Sequence, residues 1–305
     1  MARKSKWQTW AEAIDGTTTV TGVMGWPVEH SLSPPVHNAA YISEGMNWVY
    51  TPMAVHPELV EEAIEGIRAL SFCGMNVTIP HKTAVVEHLD ELSDVAAALN
   101  TVNTIHVSDG RLIGYNTDGL GFVRSLREAG WSASDKIVTM IGAGGAAAAV
   151  ALAVARDEKP ARIVILNRTP EKADQVANIV RNDLPDLPVI TGDLASGHSQ
   201  DLIRQSEILI DCTSVGMYPE VDVDPVVPGE LLNEDMVVCD LTYNPRETVL
   251  LKTAKNVGAA TLEGTGMLLH QGASAYELWT GKDAPVEVMR EALMDALEQR
   301  EQIAR

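Results

Sequence analysis

The chain has 305 residues, with 42 Asp and Glu against 23 Lys and Arg, for a formal net charge of −19. That balance excludes a nucleic-acid wrapper or a binder of anionic membrane surfaces, since both need a positive face. A make-up of 46% hydrophobic and 21% charged residues is that of a folded chain, long enough at ~150 residues per domain for two domains.

Taken in chain order, Arg3, Lys4 and Lys6 open like a secretory signal, but QTWAEAIDG follows in place of an apolar run. A cytoplasmic location is therefore expected, with the residues before Thr17 as a short extension. Thr17–Gly25, Trp48–Val55 and Phe72–Ile79 read as strands. Between the last two, Leu59, Ala63, Ile67 and Leu70 recur at helical spacing with acids opposite. Strands alternating with such helices predict parallel βαβ units. TVNTIHV and RLIGYNT then flank Ser108-Asp109-Gly110, a hairpin signal.

From Lys136 the pattern restarts. IVTMIGAG, RIVILNR, EILIDCTS, MVVCDLTY and AATLEG are five short β-rich runs without polar alternation, as in a parallel sheet covered on both faces. Ile137–Ala155 carries no charge, but Gly142-Ala143-Gly144-Gly145 interrupts it, so strand, turn and buried helix are expected in place of a membrane span. In the last helix Val286, Met289, Leu293 and Leu297 share one face, the pattern of a docking helix. The fold class is α/β in two domains. Cys73, Cys212 and Cys239 stand far apart with no CxxC pair, which fits a reducing compartment, and no spacing suggests a metal site.

Gly142, Gly144 and Ala147 match G-x-G-x-x-G/A between a strand and a helix, the dinucleotide fingerprint. Gly142 permits the tight turn, Gly144 lets backbone approach a pyrophosphate, and the helix N-terminus offers N–H groups to the phosphates. Where an NAD site usually has an acid, this chain reads Asn167-Arg168-Thr169. A guanidinium there clamps a 2′-phosphate, so NADP is favoured over NAD.

Four polar segments sit where first-domain strands should end: Ser31-Leu32-Ser33-Pro34, Asn76 to Lys82 (NVTIPHK), Asn100 to Thr104 (NTVNT) and Gly114 to Gly119 (GYNTDG). They supply hydroxyls, amides, one ammonium and one carboxylate at βα loops, where open α/β sheets bind ligands. Neutral donors and acceptors with a single Lys/Asp pair suit a small polyhydroxylated acid.

With SLSP, NVTIPHK, NTVNT, GYNTDGLGF, GAGGAA, NRT, DCTSVGM and GMLLHQGA in order over nearly the whole length, the chain resembles the shikimate dehydrogenases. The resemblance implies reversible NADPH-dependent reduction of 3-dehydroshikimate to shikimate, in chorismate and aromatic amino acid biosynthesis. The alternative is a quinate/shikimate dehydrogenase of broader substrate and cofactor range. It implies an N-terminal α/β substrate domain (1–118 and 266–305) and a Rossmann-like, doubly wound NADP-binding domain (119–265), with the C-terminal helices returning to the first domain. By the same resemblance Ser31 and Ser33 hold the substrate carboxylate. Asn76, Thr78, Asn103, Asp118 and Gln271 hold ring hydroxyls, Tyr243 approaches the substrate, and Lys82 and Asp118 are the catalytic pair. Asp94, Gly142, Ala143, Gly144, Gly145, Ala146, Asn167, Arg168, Thr169, Leu241, Gly264 and Met267 line the cofactor site. The partners implied are small molecules, with no nucleic acid or membrane, and monomer and homodimer both open. His81, beside Lys82, is assigned to packing.

Overall fold

The structure, a computed structural model, describes residues 14–303; Arg3, Lys4 and Lys6 lie outside the described residues. Two units emerge from it. One comprises the residues up to Thr117 together with those from Gly272 onward; the other is Asp118–Gln271.

The first unit opens with β1 (Thr19–Gly25), α1 (Ser33–Ser43), β2 (Trp48–Ala54), α2 (Val60–Ala69) and β3 (Gly74–Val77). β4 (Glu91–Leu92), α3 (Asp94–Leu99), β5 (Thr104–Ser108) and β6 (Arg111–Tyr115) follow. The sheet order is β2-β1-β3-β5-β6-β4. β1 pairs in parallel with both β2 and β3, as the alternating helices predict, and β5 and β6 form the expected antiparallel hairpin. Asp109 and Gly110 take φ of 49° and 76°, the left-handed pair a two-residue hairpin turn requires. β4, only two residues long, pairs with β6 and has no sequence signature. Met24, Ile64, Met75, Val77, Val85, Ile105 and Leu112 fill the core against α2.

The second unit holds α4 (Asp118–Glu128), β7 (Ile137–Ile141), α5 (Gly145–Asp157), β8 (Arg162–Asn167), α6 (Pro170–Asp183) and β9 (Val189–Asp193). It continues through α7 (Gly197–Arg204), β10 (Ile208–Asp211), β11 (Val237–Asp240), α8 (Val249–Asn256) and β12 (Ala260–Leu262) into α9 (Thr265–Thr280). All six strands are parallel in the order β12-β11-β10-β7-β8-β9. Counted from β7 as strand 1, this is the doubly wound 3-2-1-4-5-6 order, whose switch point lies between β7 and β10. β9 (VITGD) is a half-buried edge strand whose run is broken by Gly192 and closed by Asp193, so it lacks the apolar run that marks the central strands. The uncharged stretch Ile137–Ala155 resolves into β7, a turn and α5. No helix among the described residues is long and apolar enough to cross a membrane.

α9 runs across the division of the chain, and α10 (Val286–Ile303) packs on α1 within the first unit. Met289, Leu293 and Leu297 are buried there, so the predicted docking face is used.

Candidate functional site

In the first unit the expected substrate residues converge at the strand ends. Ser31 and Ser33 lie on the turn that opens α1, and the Ser31 hydroxyl accepts the Ser33 N–H at 3.3 Å. Arg300 of α10 fixes this turn from below. Its guanidinium donates to the carbonyls of His30, Ser31 and Glu29 at 2.7, 3.1 and 3.3 Å.

Asn76 and Thr78 lie at the end of β3, Lys82 on the turn that follows, and Asn103 immediately before β5. Backbone bonds lock these segments together: Thr78 N–H to Met24, Val77 N–H to Asn103 and Val102 N–H to the Lys82 carbonyl, at 2.9, 2.8 and 2.8 Å. Asn76 is buried. Its Oδ1 accepts the Tyr50 hydroxyl at 2.7 Å, and its Nδ2 donates to the Asn103 carbonyl and to Thr104 Oγ1 at 3.2 and 3.0 Å. Lys82 is half-buried. His81, next to it, is buried with Nε2 2.8 Å from the Val55 carbonyl, a structural role as expected. Cys73 turns its Sγ toward the Trp279 carbonyl at 3.7 Å, and burial raises its pKa, so it is a neutral core thiol.

In the second unit Gly142 follows β7 with φ +99°, a conformation other residues rarely adopt. A Cβ there would also lie 3.0 Å from Thr213, in the loop that follows β10 across the switch point. The first i to i−4 bond of α5 is Ala148 N–H to Gly144 O, so the N–H groups of Gly145, Ala146 and Ala147 precede it. No side chain caps this helix and its first turn holds no acid, while Gly144, Gly145 and Ala146 are exposed. An exposed, uncapped helix N-terminus of this kind fits a dinucleotide pyrophosphate. At the end of β8, Asn167 Nδ2 donates to the Thr169 carbonyl at 2.9 Å and shapes the turn, leaving Arg168 exposed beside it.

Asp118 is the buried first residue of α4. The two glycines after it allow close packing: a Cβ on Gly119 would lie 2.2 Å from the Ala149 carbonyl of α5. One on Gly121 would lie 2.8 Å from both Met267 O and Gln271 N of α9. The segments that carry Asp118, Met267 and Gln271 are thereby brought together. Gln271 Nε2 donates to the Leu268 carbonyl at 2.9 Å. Gly264 packs directly on the backbone of Leu241 and Thr242, with Tyr243 half-buried beside them. Of the expected cofactor residues, Asp94 alone belongs to the first unit, exposed in the first turn of α3.

Several residues with a part in these sites were not singled out from the sequence. Tyr50 reads there as one more aromatic in an apolar strand, and Arg300 as a surface charge on a helix. Asp211 and Asp240 end β10 and β11 in register with each other, acids closing otherwise apolar runs. Asp240 accepts the Thr242 N–H at 2.8 Å and the Thr248 hydroxyl at 2.6 Å. Asp211 accepts the Thr213 N–H through Oδ1 at 2.8 Å, but its buried Oδ2 has no partner among the described residues. Burial, and then the Asp240 charge, push Asp211 up to about 7. Asp240, with donors on both oxygens, is the member of the pair placed to carry the charge.

Comparison with known proteins places these features in context. The shikimate dehydrogenase substrate binding domain matches residues 23–105, the shikimate / quinate 5-dehydrogenase domain 125–248, and the shikimate 5′-dehydrogenase C-terminal domain 264–294. An NADP(+) shikimate dehydrogenase of Methanocaldococcus jannaschii is 46% identical over 285 residues, 93% of this chain and 99% of the relative. The shikimate 5-dehydrogenase of Thermus thermophilus, solved with NADP(H) and shikimate, superposes with a TM-score of 0.81. It is 33% identical and covers 92% of this chain and 100% of its own. A quinate dehydrogenase of Corynebacterium glutamicum in complex with NAD shares the fold at a TM-score of 0.85 and 30% identity, covering 91% and 99%.

Proposed function

This chain belongs to the shikimate dehydrogenase family, and on that premise we infer its reaction: the reversible NADPH-dependent reduction of 3-dehydroshikimate to shikimate, in aromatic amino acid biosynthesis. It is an NADP-dependent oxidoreductase, and a quinate dehydrogenase of broader range is the less favoured reading. The observation that carries the inference is the pairing of two features in one chain. One is an uncapped glycine-opened helix at the switch point of a 3-2-1-4-5-6 sheet; the other is a lysine-bearing cluster of neutral donors and acceptors at the strand ends of another unit.

NADPH, when bound, supplies the hydride to the substrate carbonyl carbon. The α5 N-terminus at Gly142–Ala146 suits its pyrophosphate, Asn167, Arg168 and Thr169 its 2′-phosphate, and Leu241, Gly264 and Met267 the remainder; Asp94 is proposed with them. Ser31 and Ser33, on a turn Arg300 holds in place, offer hydroxyl donors for the substrate carboxylate. Asn76, Thr78, Asn103, Asp118 and Gln271 are assigned to ring hydroxyls, with Tyr243 approaching the substrate. Lys82 stabilises the alkoxide that develops and delivers its proton, with Asp118 assigned as its catalytic partner. Residues 1–118 with 266–305 serve the substrate and 119–265 the cofactor. The enzyme works as a soluble protein of the cytoplasm, as a monomer or homodimer that light scattering separates. Reduction of NADP by shikimate, followed spectrophotometrically with purified protein, tests the assignment; no turnover would overturn it.

A further inference from the structure

The polar cluster of the first unit continues inward as one directed chain of hydrogen bonds. Two backbone groups, whose roles cannot reverse, fix its direction. The Asn103 carbonyl can only accept, so the Asn76 atom 3.2 Å from it is Nδ2, and Asn76 Oδ1 faces Tyr50. The Tyr50 hydroxyl therefore donates. The Thr117 N–H can only donate, so the Asn103 atom 2.9 Å from it is Oδ1. Thr104 Oγ1, which accepts from Asn76 Nδ2 at 3.0 Å, passes its own proton to Asn103 Oδ1 at 3.0 Å. Asn103 Nδ2 then donates to Thr117 Oγ1 at 2.9 Å. Tyr50, Asn76, Thr104, Asn103 and Thr117 are all buried, so each bond is made in a medium where losing it is costly.

The head of the chain is held from α1. His37 stacks on the Tyr50 ring with centroids 4.3 Å apart and planes 4° apart. Asn38 bonds both the N–H and the C=O of Tyr50, at 2.8 and 2.9 Å. The phenol is thus held from α1 on one side and bonded to Asn76 on the other.

We propose that Tyr50 is a positioning residue for the substrate: its buried hydroxyl, donated to Asn76 Oδ1, completes the bonding that holds the Asn76 amide and, through Thr104, braces Asn103. This rests on the reading above, in which Asn76 and Asn103 take ring hydroxyls. Without the phenolic donor, Asn76 Oδ1 is left unpaired in a buried setting, and the hold of Asn76 Nδ2 on Thr104 Oγ1 and the Asn103 carbonyl loosens.

The test is a comparison of Tyr50→Phe, Thr104→Val and Thr104→Ser with wild type, reading KM for shikimate and for NADP, kcat, and the Kd of shikimate by calorimetry. Both Tyr50→Phe and Thr104→Val should raise the KM and Kd for shikimate roughly 5- to 30-fold. KM for NADP should not move, and kcat should stay within about twofold. Thr104→Ser, which keeps the hydroxyl, should restore binding, and the double variant should be no worse than the poorer single one, because both cut one chain. Wild-type shikimate binding in Tyr50→Phe and Thr104→Val overturns the proposal. So does a Thr104→Ser as weak as Thr104→Val, which would show packing at work. If Tyr50→Phe does not fold, the Thr104 pair carries the same comparison. A wild type that binds shikimate without oxidising it overturns the functional reading while the Kd series still decides the relay; one that binds none overturns both.

Discussion

Asp211 should contribute a loss of stability as pH rises. Its carboxyl is buried at the end of β10, opposite Asp240 in the strand register, with one oxygen unpartnered among the described residues. Burial and the Asp240 charge raise it from 3.8 to about 7. A group raised on folding contributes stability that is fully present below its unfolded value and is lost as pH climbs through its folded value. At ~1.4 kcal/mol per unit, the gap between 3.8 and about 7 corresponds to an effect of order 4 kcal/mol, roughly 3 of it between pH 5 and 8. Asp211→Asn keeps the shape and removes the titration. Denaturant unfolding of both proteins across pH 5 to 8 should therefore give diverging curves, the wild type losing ground against Asp211→Asn as pH rises, with the variant the more stable at pH 8. The effect has a functional side, because Asp211 leads into Cys212 and Thr213, against which Gly142 packs. Parallel curves would refute the reasoning, since they would mean that Asp211 ionises in the fold as easily as outside it.

The remaining predictions concern the two sites directly. Lys82→Ala should lower kcat by about 10²- to 10⁴-fold, the range of a lost general acid, with little change in KM for shikimate; normal kcat with raised KM would assign Lys82 to binding alone. Arg168→Glu should cost NADP efficiency selectively, by roughly tenfold or more after allowance for the exposure of the side chain, while NAD turnover holds or improves. Equal loss with both cofactors in steady-state assays would count against the 2′-phosphate role. Gly119→Ala should destabilise the protein by about 1–3 kcal/mol despite the better helix former, because the new methyl meets the Ala149 carbonyl. A raised melting temperature would show that α4 has room to shift.

What could be read from the amino-acid order follows from where burial is complete. β7, β8, β10 and β11 are buried on both faces and announce themselves as apolar runs, and the glycine loop and Asp109-Gly110 turn carry their backbone conformations in their residue types. β9 and β4 carry no such signal: Gly192 and Asp193 interrupt the one, and the other is two residues long. The polar segments at the strand ends were visible as motifs. Their interior support was not: Tyr50, Thr104 and Thr117 act through pairings up to 28 residues apart in sequence, and Arg300 through bonds to a turn some 270 residues earlier. Pattern and spacing reveal elements and loops, whereas the direction of a hydrogen-bond chain depends on which buried groups can only donate or only accept.

The central claim is that the cluster of Ser31, Ser33, Lys82 and Asn103 handles shikimate while the Gly142–Ala146 turn and Arg168 handle NADP. It is tested most directly by steady-state reduction of NADP by shikimate with the purified protein, alongside NAD and quinate in the same assay. The expected result is turnover highest for the shikimate and NADP pair. Turnover highest with quinate and NAD, or none with any pair, would contradict it.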